Sequence, residues 1–141
     1  MYAINRSPSL LPSNLQALTS AAVIQSFTVL AQCQVDQLFF AISTSIVSSG
    51  NVVVTFKRRP TINSSSGEVT IGTLSMPNGA AAGKVYYKQV APVVCAAGEQ
   101  IVIEVTTAAA GMGAAGNGQG FFDAEQDPET NANNPDMVLS V

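Results

Sequence analysis

The chain has 141 residues, 6 Lys or Arg, 9 Asp or Glu and no His, so 11% of it is charged and its net charge is −3, where an ordinary soluble domain is ~25% charged. That length suits one domain with its own core. The acidic balance excludes a generally basic nucleic-acid binder, and the apolar stretches are too often interrupted for a membrane helix of ~20 residues. With a hydrophobic share of 47% beside so little charge, the composition points to a surface covered by copies of the chain or by a partner.

The start, Met1-Tyr2-Ala3-Ile4-Asn5-Arg6, has neither the charged opening nor the compact apolar run of a secretory signal, so synthesis in the cytoplasm is expected. Residues 1–20, with Pro8 and Pro12 among Ser, Asn and Leu, read as an extended arm carrying one short helical turn around Asn14–Leu18. From Ala22 the period becomes two: Val23, Phe27, Val29, Ala31, Cys33 and Val35 share one parity, which describes a half-buried strand. Leu38, Phe40, Ile42, Thr44 and Ile46 continue on the other parity, so a bulge, bend or turn is expected near Asp36.

Ser48-Ser49-Gly50-Asn51 is a turn, and Val52–Lys57 is a β-rich strand. A Ser-rich loop over 61–67 precedes a strand over Glu68–Leu74, and small residues connect it to a strand over Lys84–Val90. Pro92 and Ala97-Gly98-Glu99-Gln100 act as punctuation. Ile101, Ile103 and Val105 then alternate with Val102, Glu104 and Thr106 as the partner of a hairpin. Residues 108–120 are low-complexity Ala and Gly, too glycine-rich for a helix, and read as a flexible or closely packed loop. Phe121-Phe122 begins a last strand, and the tail from Asp123 is acidic and rich in Asn and Pro. No internal repeat is visible. Recurrent short strands without a convincing helix make an all-β, single-domain antiparallel sandwich or jelly roll with extended N- and C-terminal arms. The boundaries fall at an N-terminal arm over 1–20, a β-sandwich over 21–122 and an acidic tail over 123–141.

The chain presents no catalytic constellation, and without His a hydroxyl or thiol nucleophile lacks its usual base, so no enzyme activity is expected. Gly111-Met112-Gly113-Ala114-Ala115-Gly116 matches a dinucleotide pattern but lacks the helix and second strand that its mechanism needs. Asp123, Glu125, Asp127 and Glu129 alternate like the start of a calcium loop, yet Pro128 and Asn134 occupy the positions that need Gly and Glu. A solvated acidic tail is the simpler reading, and no metal or other cofactor is expected. Lys57-Arg58-Arg59 is the dense basic cluster. Residues 1–122 hold six bases and four acids and 123–141 hold five acids and no base, so docking of the tail on 57–59 of the same or a neighbouring subunit is one expectation. Tyr86-Tyr87 and Phe39-Phe40 read as core and cross-strand partners rather than a sugar-binding face. Cys33 and Cys95 are open to three readings: small core residues, a disulfide if their backbones lie within ~7 Å, or a reactive thiol.

The runs Val35–Thr44, Val52–Pro60, Gly83–Lys88 and Ala97–Val105 together resemble the small jelly-roll decoration or cement proteins of tailed-phage heads. The likeness spans residues 22–122 and rests on strand texture and length. It implies a β-sandwich on the outside of a capsid, commonly a homotrimer, that bridges major capsid subunits, with no direct contact to nucleic acid or membrane and a virion-surface location. The family supplies no catalytic residues. Extended termini that reach neighbouring chains fit this picture, and the apolar Met137-Val138-Leu139 is unusual for a free tail. The partner contacts expected are therefore Lys57, Arg58, Arg59, Asp123, Glu125, Asp127, Glu129, Met137, Val138 and Leu139. A head-fibre, tail or adaptor component and a carbohydrate-binding β-sandwich module are the alternatives.

Overall fold

The computed structural model describes residues 4–6 and 16–126, with side chains over 16–125. Among these the regular elements are strands: β1 (Ile4–Arg6), β2 (Gln16–Ala17), β3 (Val23–Thr28), β4 (Cys33–Val47), β5 (Val52–Arg59), β6 (Val69–Met76), β7 (Val85–Cys95), β8 (Gln100–Thr107) and β9 (Ala115–Gln126). They form two antiparallel sheets. Sheet A has the order β1-β9-β4-β7, with β2 also on β9, and sheet B has the order β3-β8-β5-β6. With β1 and β2 sharing one position beside β9, each sheet has four positions and the chain alternates between sheets at nearly every connection. This is a jelly roll.

The sandwich is all-β, as the period-two pattern requires, and the phase change at Asp36 is a bulge: the register of β4 slips between Val35 and Gln37 against both neighbours. Leu38, Phe40, Ile42 and Ile46 of β4 then face Val54 and Phe56 of β5 and Ile101, Ile103 and Val105 of β8 in one buried cluster. Burying each such side chain contributes about 1.5–3 kcal/mol. Phe27 and Phe122 meet edge to face at 5.2 Å across the sandwich.

Several expected boundaries move. The strand expected to run through residues 22–35 breaks after Thr28, where Val29 and Gly98 and then Glu99 bond across the sandwich end. Ile101–Val105 lies in β8 and pairs with β3 and β5, not with β7 as a hairpin would. Its side chains are buried at most positions, which suits a central strand of the opposite sheet. Pro92 sits inside β7, which tolerates it as an edge strand of sheet A.

The largest difference is at the glycines. The expected loop over 108–120 gives way at Ala115 to β9, an interior strand of sheet A between β4 and the β1–β2 pair. Gly118 and Gly120 face inward beneath Phe40 and Ile103, where a β-carbon on Gly120 would stand 2.6 Å from Ile103 Cδ1. The glycines thus make room for large core side chains from both sheets. The strand runs on to Gln126, so the boundary expected at 122 falls within it. The helical turn expected over 14–18 is replaced, where described, by Gln16–Ala17 paired with Asn117 and Gly118.

Candidate functional site

The basic cluster closes β5 on sheet B. Lys57 and Arg59 rise from the outer face beside Val102 and Gln100, while Arg58 shares the inward face with Ile101. Lys57 Nζ donates to Glu68 Oε1 at 3.0 Å and also to Glu104 Oε2, and Arg59 Nε donates to the other oxygen of Glu68 at 2.8 Å. Arg58 forms a fork on Glu99, with Nε and Nη2 donating at distances of 3.0 to 3.2 Å. A turn amide, Ala96 N–H, also donates to Glu99 Oε1. The three bases are thereby matched by Glu68, Glu99 and Glu104 of the same chain.

These contacts shift the ionisations. The Arg59 guanidinium, aided by Lys57, holds the Glu68 carboxyl below its ordinary range, and Arg58 does the same for Glu99. Hydrogen bonding to Glu104 raises Lys57, and bonding to Glu99 raises Arg58. Val102, opposite Lys57 in the register, lies outside the main core cluster and yet is fully buried.

The acidic candidates lie elsewhere. Asp123 and Glu125 are on β9, in register with Gln37 and Gln34 of β4 and with Arg6 and Ile4 of β1. They alternate on the outer face of sheet A, on an extended strand rather than in a calcium-type loop. Asp127, Glu129, Met137, Val138 and Leu139 lie outside the described residues. Within the described residues, the expected acidic and basic groups therefore sit on different sheets.

Between these acids and the β7 edge, the outer face of sheet A carries an aromatic row. Tyr87, Phe39 and Phe121 occupy directly opposed positions on β7, β4 and β9. Phe39 stacks on Phe121 at 4.8 Å with an interplanar angle of 6°, and on Tyr87 at 6.2 Å and 26°. Each aromatic pair sends one ring in and one out, as cross-strand pairing requires. Phe39 is stacked between the other two rings, while Tyr87 at the edge has one ring neighbour. Tyr87 is 70% exposed, and Val85 and Val94 of the same edge strand are 48% and 46% exposed.

No protein-family model matches the chain, and no curated protein matches it. Among solved structures, it is similar to "Structure of infectious bursal disease virus Gx strain" at 13% identity and a TM-score of 0.41, and to that of the Gt strain at 12% and 0.38. In both cases the match covers 88% of this chain and 32% of the other, so this chain spans under a third of the length of each. No residue role is carried across from them.

Two features of the site escape a linear reading. The carboxylates that neutralise Lys57, Arg58 and Arg59 come from three separate segments, and only the sheet register brings them together. The aromatic row joins residues up to 82 positions apart, from Phe39 to Phe121, although the doubled aromatics at 39–40, 86–87 and 121–122 are its visible trace.

Proposed function

We propose that this chain is a structural virion protein, a decoration or cement protein that binds the outside of a tailed-phage head and bridges major capsid subunits. The observation that carries this reading is the outer face of sheet A: Tyr87, Phe39 and Phe121 in a stacked row, flanked by exposed Val85 and Val94 on an edge strand. Aromatic and aliphatic groups of this kind form the desolvated centres of protein interfaces. The edge of β7 adds backbone donors and acceptors to which a neighbouring strand can pair.

The self-neutralised basic cluster supports the same reading. Its three bases are already paired and only 15% to 30% exposed, so a neighbour that covers them meets no isolated charge. Asp123, Glu125, Asp127 and Glu129, with Met137, Val138 and Leu139, are the proposed contacts to adjoining subunits, with a trimer as the assembly and the virion surface as the location after synthesis in the host cytoplasm. A contact from such acids to Lys57, Arg58 or Arg59 exchanges one set of ion pairs for another.

The test is to measure the mass of the purified protein in solution, add it to heads lacking it, and count bound copies. Hundreds of copies per particle support the cement reading. A few copies at one vertex or ring favour a fibre, tail or adaptor component. A monomer without affinity for any head removes the proposal.

A further inference from the structure

Cys33, the first residue of β4, and Cys95, the last of β7, stand directly opposite each other in the antiparallel register. Both are free thiols, 4% and 0% exposed. Opposed residues on adjacent antiparallel strands have Cα atoms ~4.5–5.5 Å apart, within the ~4.4–6.8 Å that a disulfide spans. Both side chains belong to the buried core cluster and so lie on one face of the sheet. The Cys95 thiol, which donates to the Val93 carbonyl at 3.9 Å, is pushed up by its neighbour and by burial, while Cys33 is lowered beside it. Two thiols opposed on one face of adjacent strands are placed for thiol–disulfide exchange, in which one attacks as thiolate and the other keeps its proton until the second step.

The place in the fold adds a route of access. Here the chain crosses between sheets twice, from β3 to β4 over residues 29–32 and from β7 to β8 over 96–99. These crossings are tied by the bonds of Val29 N–H to Glu99 O and of Gly98 N–H to Val29 O, each 2.8 to 2.9 Å. Cys95 ends an edge strand and Cys33 begins the strand beside it, so local fraying of this end of β7 uncovers both thiols at the margin of the core.

We propose that Cys33 and Cys95 form a disulfide site that a small organic disulfide of the glutathione type closes in the folded protein. The Cys33 thiolate attacks one sulfur of the oxidant, its S–S bond breaks, and one small thiolate leaves. Cys95 gives its proton to that thiolate and attacks Cys33 Sγ, forming the Cys33–Cys95 bond and releasing the second small thiolate, which takes the proton first lost by Cys33. Two protein thiols are oxidised and one small disulfide is reduced to two thiols. The product fastens the β7 edge to β4 and closes a loop between positions 62 residues apart.

The full chain, reduced and then desalted, is incubated under native conditions with oxidised glutathione. The expected product is about 2 Da lighter, has no titratable thiol after unfolding, and yields a tryptic peptide over 7–57 joined to one over 89–141. Its Tm rises by about 5–10 °C, and Cys33→Ala and Cys95→Ala chains show no such rise. Two thiols still titratable after unfolding overturn the proposal. So does oxidation that appears only as glutathione adducts or as links between chains, or an equal rise in Tm in the two variants.

Discussion

The side-chain amide of Gln25 is bonded to the backbone of Gly120 in both directions: Gly120 N–H donates to Oε1 at 2.7 Å, and Nε2 donates to the Gly120 carbonyl at 3.2 Å. Gln25 belongs to β3 in sheet B and Gly120 to β9 in sheet A, so one side chain acts as a local strand partner across the sandwich. It fills the interval on β9 between Asn117–Gly118, paired by β2, and Asp123–Glu125, paired by β1. Gln25→Leu keeps the volume and removes both bonds, leaving two half-buried backbone groups unmatched. We expect a loss of about 1–3 kcal/mol, read as a lower urea midpoint with an unchanged m-value.

Gly118 is fixed by space. A β-carbon there overlaps the Phe40 ring and stands 2.5 Å from the Ala41 carbonyl oxygen, on a strand held from both sides. Gly118→Ala is therefore expected to cost at least about 3 kcal/mol through overpacking or to prevent folding. Gly50→Ala, where nothing lies within 4 Å of the added carbon, is expected to stay within about 0.5 kcal/mol of the parent. Thermal unfolding of the two variants makes the comparison, and equal losses count against the packing account.

These glycines also show how far the fold is legible in the chain. Alternating Val, Leu, Phe and Ile at 38–46 and 101–105 announces the strands because each inward position carries an apolar side chain. The inward positions 116, 118 and 120 carry none, so the period-two signal survives only as glycine spacing. The space above them is filled by Ile46 and Leu18 at Gly116 and by Phe40 and Ile103 at Gly118 and Gly120, residues distant in sequence. The same limit applies to the site: Lys57-Arg58-Arg59 is visible as a cluster, but its neutralisation by Glu68, Glu99 and Glu104 depends on register.

The ion-pair network gives the fold an acid limit. Glu68 and Glu99 have folded-state pKa values below the ordinary 4.5, so the unfolded chain takes up their protons first as pH falls. Their contribution is complete above the ordinary glutamate range and is lost as pH drops through 4.5 and then through the lower folded values. Lys57 and Arg58, both raised above their ordinary values, stay charged across that window. Glu99→Gln is expected to cost about 1–2 kcal/mol at pH 7, since it removes the forked bond to Arg58 and leaves that cation half-buried. Denaturant midpoints from pH 7 to 3 are expected to fall less steeply in this variant than in the parent. A slope equal to the parent's sets the acid limit elsewhere.

The aromatic row separates folding from assembly, because its members differ in exposure. Phe39 lies in the middle, half-buried and stacked on both sides, so Phe39→Ala removes two ring contacts and is expected to cost about 1–3 kcal/mol of stability. Tyr87 is 70% exposed at the edge and touches the row on one side. Tyr87→Ser is expected to change stability by no more than about 1 kcal/mol while weakening binding to heads that lack the protein by about tenfold or more. Val85→Ser, at a neighbouring outward position that is 48% exposed, is expected to act in the same direction with a smaller effect. Occupancy on purified heads, measured against protein concentration beside a Tm for each variant, distinguishes the two roles. If Tyr87→Ser binds like the parent while its Tm falls sharply, the row is a folding device and the partner docks on another face.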